Sequence, residues 1–88
     1  MKLGFCPSIG FILDFECMVD VDVEWELGTP HLVINDVFES TGKVSLMRAV
    51  EDDKFWQQFA LRIMDEAEKD ERLLADAVEQ ARDEAEAA

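Results

Sequence analysis

The stretch from Phe11 to Leu27 alternates between apolar and acidic residues. Every odd position in it is apolar, and six of the eight even positions from Ile12 to Glu26 are acidic. Because strand side chains alternate between two faces, this pattern predicts β-structure with an apolar face against a core and an acidic face outside. The six acidic residues are Asp14, Glu16, Asp20, Asp22, Glu24 and Glu26.

A single strand over this stretch would extend for ~55 Å, which is too long for a small domain. We therefore expect two strands, at 10–17 and 19–27, joined by a bend, bulge or tight connection at Met18, where an apolar residue interrupts the acidic positions. A short strand is expected at 2–6, and another at 31–38 after the turn Gly28-Thr29-Pro30.

The chain after Gly42 contains no further Gly or Pro, which favours helices. Ser45 is placed to cap a short helix, and a fourth strand at 44–47 is the alternative. Asp52 or Asp53 is placed to cap a second helix. The apolar residues of that helix recur at helical spacing: Phe55, Trp56, Phe59, Ala60, Ile63, Met64 and Ala67.

A weaker apolar stripe follows from Leu73 to Ala85, after a charged interruption at 68–71. The pattern leaves open whether one helix runs to about residue 86 or two helices break near 69–71. Overall it predicts one α+β domain over residues 1–88, in which a small antiparallel sheet of three to four strands packs against one or two C-terminal α-helices. Residues 1–42 form the acidic strands, and residues 43–88 form the helical segment.

The aromatic residues Trp25, Phe55, Trp56 and Phe59 are expected in the core. Because Trp56 directly follows Phe55, the two side chains cannot both face the core equally well. Trp56 is therefore a candidate contact with a second copy or a partner protein, and a homodimer is plausible for a domain with so small a core.

Net charge limits the classes of partner. The formal net charge is −13, and Lys2 is the only Lys or Arg in residues 1–42, against eight acidic residues. Such charge disfavours direct binding to nucleic acid or an anionic membrane and favours a basic protein surface. No apolar run approaches the ~20 residues of a membrane helix, and no signal-peptide pattern is present. We therefore expect a cytoplasmic protein.

Two cysteines fit a reducing compartment, with Cys17 expected as a buried free thiol. The sequence leaves open whether Cys6 and Cys17 form a disulfide. No catalytic motif is present, and His31 is the only histidine. The run from Asp20 to Glu24 resembles the start of a calcium loop, but the sixth and twelfth places hold Trp25 and His31 where an EF-hand has Gly and Glu. We expect a non-enzymatic protein without metal or cofactor.

Neighbouring like charges on a strand repel each other, so a row of six acids indicates a function beyond solubility. One such function is imitation of a phosphate backbone. Carboxylates on alternate strand residues recur every ~6.7 Å, whereas duplex phosphates advance ~3.4 Å per strand, so good imitation needs a second row. Candidates for that row are Asp36, Glu39, Glu51, Asp52 and Asp53. The expected partner-binding residues are Asp14, Glu16, Asp20, Asp22, Glu24, Glu26, Asp36 and Glu39.

In size, acidity and order of strands before helices, carried by the six acids from Asp14 to Glu26, the chain resembles small phage-encoded anti-CRISPR proteins and related DNA-mimicking inhibitors of host defence. The resemblance implies stoichiometric inhibition in a bacterial host, in which the acidic face occupies the basic groove of a CRISPR effector or nuclease. Two alternatives remain: an antitoxin or immunity protein that neutralises a basic toxin through a compact hot spot, and a homo-oligomeric structural or assembly module.

Overall fold

The computed structural model describes residues 1–10, 12–49 and 54–87. The chain forms β1 (Lys2–Phe5), β2 (Cys17–Glu26), β3 (Thr29–Phe38), α1 (Leu46–Ala49), α2 (Lys54–Lys69) and α3 (Glu71–Ala87). The three strands make one antiparallel sheet in the order β1-β2-β3. The α+β class is therefore confirmed, with three strands in the sheet and the helices C-terminal to it.

The predicted strand over 10–17 is wrong, because β1 and β2 are joined by an irregular connection over 6–16. A small turn is closed there by two backbone hydrogen bonds between Ile9 and Ile12, and Asp14 adopts a left-handed φ of 50°. Ile12 and Phe15 fold back onto the core, and the Phe15 ring lies edge-on to Phe59 at 5.0 Å. Leu13, an odd-position residue, is instead exposed, so burial in this part of the chain does not follow the alternation.

The predicted break at Met18 is also wrong, since Met18 lies inside a continuous β2. Its partners are Gly4 in β1 and Phe38 in β3. The residues that we assigned to the end of one strand and the start of the next therefore form a single central strand. Because the 6–16 connection reverses the chain, that strand needs to cover only the ten residues of β2.

The β2–β3 hairpin turns at Leu27 and Gly28, one residue earlier than predicted, and Thr29 and Pro30 already belong to β3. Both turn residues have positive φ, 51° and 82°, as a two-residue type I′ turn requires. Farther along, the register shifts between Asp20 and Val21. An extra residue in β3 at this shift lets both even and odd positions of β3 face the core.

Helix ends follow the polar residues in the sequence. Ser45 Oγ accepts a hydrogen bond from the N–H of Arg48 at 3.3 Å, which confirms the predicted cap of α1 and makes the alternative strand at 44–47 wrong. The helical segment after residue 53 is two helices, and Asp70 lies between them. Asp70 Oδ1 accepts from the N–H of Leu73 at 2.8 Å, which caps α3. The predicted caps Asp52 and Asp53 lie outside the described residues.

The core forms between the inner face of the sheet and the helices, with α2 packed on β3 and α3 packed across β1, β2 and β3. Its buried apolar residues are Leu3, Cys17, Val19, Val21, Leu32, Val37, Phe59, Ala60, Ile63, Ala67, Leu73 and Ala77. Phe59 is thus a core aromatic as predicted. Trp25 and Phe55 are not, because 59% and 58% of their surfaces are exposed. The side chain of Trp56 lies outside the described part of the structure.

Candidate protein-binding surface

The outer face of the sheet, opposite the helices, carries the acidic residues of β2. Asp20, Asp22, Glu24 and Glu26 alternate with Val19, Val21, Val23 and Trp25, which point toward the helix side. Exposure increases along the strand: Asp20 is half-buried, whereas the three later acids are exposed. The predicted separation of β2 into an apolar and an acidic face is therefore confirmed, and the acidic face has two distinct ends.

The first end contains a cross-strand pair of carboxylates, Asp20 and Asp36. The amino group of Met1 lies 3.2 Å from Asp20 Oδ1, and Ser45 Oγ donates a hydrogen bond of 2.7 Å to Asp36 Oδ1. The N–H of Val37 donates to the same oxygen at 2.8 Å. Both carboxylates are therefore engaged within the fold, which relieves the repulsion expected between like charges on opposite strands.

Basic residues surround this first end. Lys43 and Arg48 line a depression together with Asp20 and Asp36. Lys2 Nζ lies 4.1 Å from the centre of the Phe38 ring and donates a hydrogen bond of 2.9 Å to the carbonyl of Gly42. These basic residues offset the negative charge of the acids near β1. This end is therefore less suited to attract a basic partner.

The second end of the face is the outer side of the hairpin, where Asp22, Glu24 and Glu26 form the distal acidic row. Their neighbours on β3 are Val33, His31 and Thr29. Asn35 Nδ2 donates a hydrogen bond of 2.8 Å to Asp22 Oδ2, and His31 Nε2 lies 3.5 Å from Glu24 Oε2. Among the described residues, no Lys or Arg forms a salt bridge with the row.

The second row of acids that DNA imitation would need is not formed by the described residues of β3. Asp36 lies opposite Asp20 at the first end, and the residues opposite the distal acidic row are not acidic. The other candidates, Glu51, Asp52 and Asp53, lie outside the described residues. In the part of the chain that the structure describes, the exposed acids of the sheet therefore form a single row.

Asp14 and Glu16 do not belong to this row, because they lie in the 6–16 connection. The prediction that they share a strand face with Asp20 is wrong. The backbone N–H of Asp14 donates to Ser8 Oγ at 3.2 Å, which helps to hold the connection. Partial desolvation, followed by the charges of Asp14 and Glu16, raises the pKa of the Cys6 thiol. Neither acid adds charge to the distal acidic row on the hairpin.

Glu39 organises the loop between β3 and α1. Its carboxylate accepts hydrogen bonds from the Thr41 hydroxyl, from the N–H of Thr41 at 2.7 Å, and from the N–H groups of Lys43 and Val44 at 3.0 and 3.3 Å. These bonds, led by that of the Thr41 hydroxyl, lower the pKa of Glu39 to about 2. The carboxylate of Glu39, an expected partner-binding residue, is thus engaged in hydrogen bonds within its own loop.

The hairpin carries an exposed apolar pair that the sequence pattern did not reveal. Trp25 is 59% exposed, and Leu27 at the turn is fully exposed. The odd-face pattern placed Trp25 in the core, but burial decreases along β2, from the completely buried Val19 and Val21 through the half-buried Val23 to the exposed Trp25. An exposed aromatic residue on the inner face and an acidic row on the outer face give the hairpin both an anchor and a charge pattern.

The described residues contain no group of three or more His, Cys, Asp or Glu side chains that could hold a metal ion. Cys6 is exposed and Cys17 is buried, and both are free thiols. Burial, with a smaller effect of Cys6, raises the pKa of Cys17 to about 11, which opposes formation of a nucleophilic thiolate. Within the described residues, no helix is long and apolar enough to span a membrane.

Comparisons with models of protein families, with characterised proteins and with solved structures gave no match to this chain.

Proposed function

We propose that this protein is a non-enzymatic inhibitor that binds a basic, nucleic-acid-binding protein surface through the acidic face of its sheet. The observation that carries the proposal is the distal acidic row, whose three carboxylates are exposed and have no Lys or Arg salt-bridge partner among the described residues. A basic groove would supply the missing cations and would lose access to its nucleic acid. An anti-CRISPR or other anti-host-defence role in the bacterial cytoplasm is the leading version of this proposal.

The row has a spacing of ~6.7 Å between successive carboxylates, about twice the axial spacing of phosphates along one DNA strand. We therefore propose that the row imitates the charge of a single phosphate strand. Such a row suits a narrow groove that normally binds one phosphate backbone. Electrostatic attraction of this kind accelerates association and weakens as salt is added. Binding should accordingly depend strongly on salt.

Capture from a bacterial lysate, with elution by a salt gradient and competition by free DNA, tests this proposal. We compare the wild-type protein with the variant D22K/E24K/E26K. The matched control is E68K/E79K/E84K, which makes the same change in net charge at exposed helix positions. The proposal expects a nucleic-acid-binding complex that DNA displaces, that the control retains and that the row variant loses.

Equal capture by the row variant and the wild-type protein would overturn the proposal, because it would show that total charge or another surface determines binding. Loss of capture in both variants would also contradict it, since the location of the charges on the hairpin would then not matter. Circular dichroism of all three proteins confirms that the substitutions leave the fold intact.

The exposure of Trp25 favours a second candidate function, an antitoxin or immunity protein that neutralises a basic toxin through a compact hot spot. Truncation of such an aromatic anchor typically costs at least ~2 kcal/mol of binding free energy, whereas changing one charge at the rim costs less. Trp25→Ala is compared with Leu61→Ala, which truncates a similarly exposed apolar residue on α2. A larger effect of Trp25→Ala than of D22K/E24K/E26K would favour this candidate over the inhibitor.

A further inference from the structure

The edge of β2 beside β1 is paired over only part of its length. β1 pairs with β2 from Cys17 to Asp20, and reciprocal hydrogen bonds between the backbones of Met1 and Val21 mark the end of this pairing. Among the described residues, no strand pairs with the remainder of this edge. Five residues of β2, 22–26, therefore continue past their neighbour.

Two residues direct backbone groups to this open edge. Val21 directs both its N–H and its C=O toward Met1, and alternate residues of an antiparallel strand share this direction. Val23 and Trp25 consequently present their N–H and C=O groups to the same edge, while Asp22 and Glu24 pair with β3. This arrangement offers four backbone hydrogen-bonding groups to an added strand.

The two faces beside this edge differ in chemistry. The distal acidic row lies on the outer side, whereas the half-buried Val23 and the exposed Trp25 lie on the inner side. A second copy paired with this edge in the antiparallel sense would place its own acids ~5 Å from the row, where like charges repel. The edge therefore suits a strand that carries the opposite charge.

We propose that β2 accepts an extended segment of the partner as an additional strand, and that this segment alternates basic and apolar residues. Its basic side chains lie beside Asp22, Glu24 and Glu26, and its apolar side chains pack on Val23 and Trp25. Its backbone bonds to the open groups of Val23 and Trp25. The sign of the partner's charge rests on the proposed function, and the strand addition is a separate claim about how binding occurs.

Synthetic peptides test the strand addition directly. The probe is the seven-residue peptide Lys-Val-Lys-Val-Lys-Val-Lys, and the first control has the same composition with its four lysines before its three valines. The second control is the alternating peptide with N-methyl groups on alternate amides, made in two forms. One form lacks the N–H donors that face β2, and the other lacks only the donors that face away from it. Loss of two backbone hydrogen bonds should weaken binding by about tenfold or more.

Amide hydrogen exchange of Val23 and Trp25, read by nuclear magnetic resonance, reports on the edge itself. We expect the alternating peptide, and its form methylated only on the amides that face away from β2, to slow exchange at both amides. The peptide with its lysines before its valines, and the form methylated on the amides that face β2, should leave exchange unchanged. Equal binding of the alternating peptide and the form methylated on the amides that face β2, or binding without slower exchange at Val23 and Trp25, would overturn the strand addition.

The variant Val23→Pro removes one edge donor and keeps all three acids, and Val23→Ala keeps the donor as its control. Weaker peptide binding by Val23→Pro alone supports the strand addition. If D22K/E24K/E26K abolishes lysate capture while Val23→Pro leaves both capture and peptide binding unchanged, the proposed function stands and the strand addition is wrong. If the row variant captures its target as well as wild type, the proposed function itself fails. The N-methylated peptides keep the test valid if Val23→Pro does not fold.

Discussion

The amino group of Met1 lies 3.2 Å from Oδ1 of Asp20 and also donates a hydrogen bond of 2.9 Å to the carbonyl of Val21. This contact joins the start of the chain to the central strand and takes one carboxylate out of the exposed acidic face. It also sets the point at which pairing of β1 with β2 ends. The distal acidic row begins at the next outward position, Asp22.

Substituting Asp20 by Asn should reduce stability modestly and leave partner binding unchanged. The side chain of Asp20 is 37% exposed, so solvent screens the ion pair, and we expect a loss of less than about 1 kcal/mol in the free energy of unfolding. Urea unfolding of Asp20→Asn, with and without acetylation of the Met1 amino group, measures this. Fully additive effects of the two changes would contradict an interaction between these groups.

Replacing Leu27 by Asn should stabilise the hairpin. Leu27 holds a φ of 51° at the turn and is fully exposed, so it is strained and loses no packing when it is replaced. Asn tolerates this conformation better, and we expect a gain of about 0.5–1 kcal/mol in the free energy of unfolding. Leu27→Ala, which keeps a side chain with the same strain, serves as the control. A destabilised Leu27→Asn would mean that the Leu27 side chain makes stabilising contacts.

Removing the Asp70 side chain should weaken the start of α3. Asp70 Oδ1 accepts a hydrogen bond from the N–H of Leu73, which would otherwise lack a partner at the first turn of the helix. We expect Asp70→Ala to cost about 1 kcal/mol in the free energy of unfolding. Asp76→Ala, an exposed position within α3, is the matched control and should change stability by less than about 0.5 kcal/mol. Equal effects would rule out the capping role.

Acid should destabilise the protein partly through Glu39. Because its pKa falls from the ordinary 4.5 to about 2 in the folded state, its contribution is fully present above pH 4.5 and is lost as the pH falls toward 2. Glu39→Gln should therefore show a smaller decrease in Tm than the wild type between pH 5 and pH 2. Glu79→Gln, an exposed helix position, should follow the wild-type curve.

The two cysteines should differ in their reactivity with a thiol reagent. Cys6 is exposed, whereas Cys17 is buried, donates from its Sγ to the carbonyl of Phe5 at 3.3 Å, and has a pKa of about 11. At pH 8 we expect one thiol to react in the native protein and the second only after unfolding. In Cys6→Ser, no thiol should react until denaturant is added. Rapid reaction of native Cys6→Ser would show that Cys17 is accessible.

The local sequence pattern was sufficient to predict structure where covalent geometry determines the direction of the side chains. The alternation from Val19 to Glu26 correctly placed the apolar and acidic residues of β2 on opposite faces, since successive strand side chains must point in opposite directions. Ser45 similarly predicted the start of α1, because a short polar side chain can satisfy free N–H groups of a first turn. The interruption at 68–71 left one helix or two open, and the structure has two, with Asp70 capping α3.

Tertiary contacts determined which residues are buried and which are exposed. The same alternation failed from Ile12 to Glu16, because the chain there is an irregular connection in which Ile12 and Phe15 pack on the core while Leu13 is exposed. It also placed Trp25 in the core, whereas the helices leave that part of the hairpin uncovered. Sequence alone thus determined the faces and the charge of β2. The tertiary structure decided which acids are engaged within the fold and which remain exposed, because burial and ion pairing depend on residues that are distant along the chain.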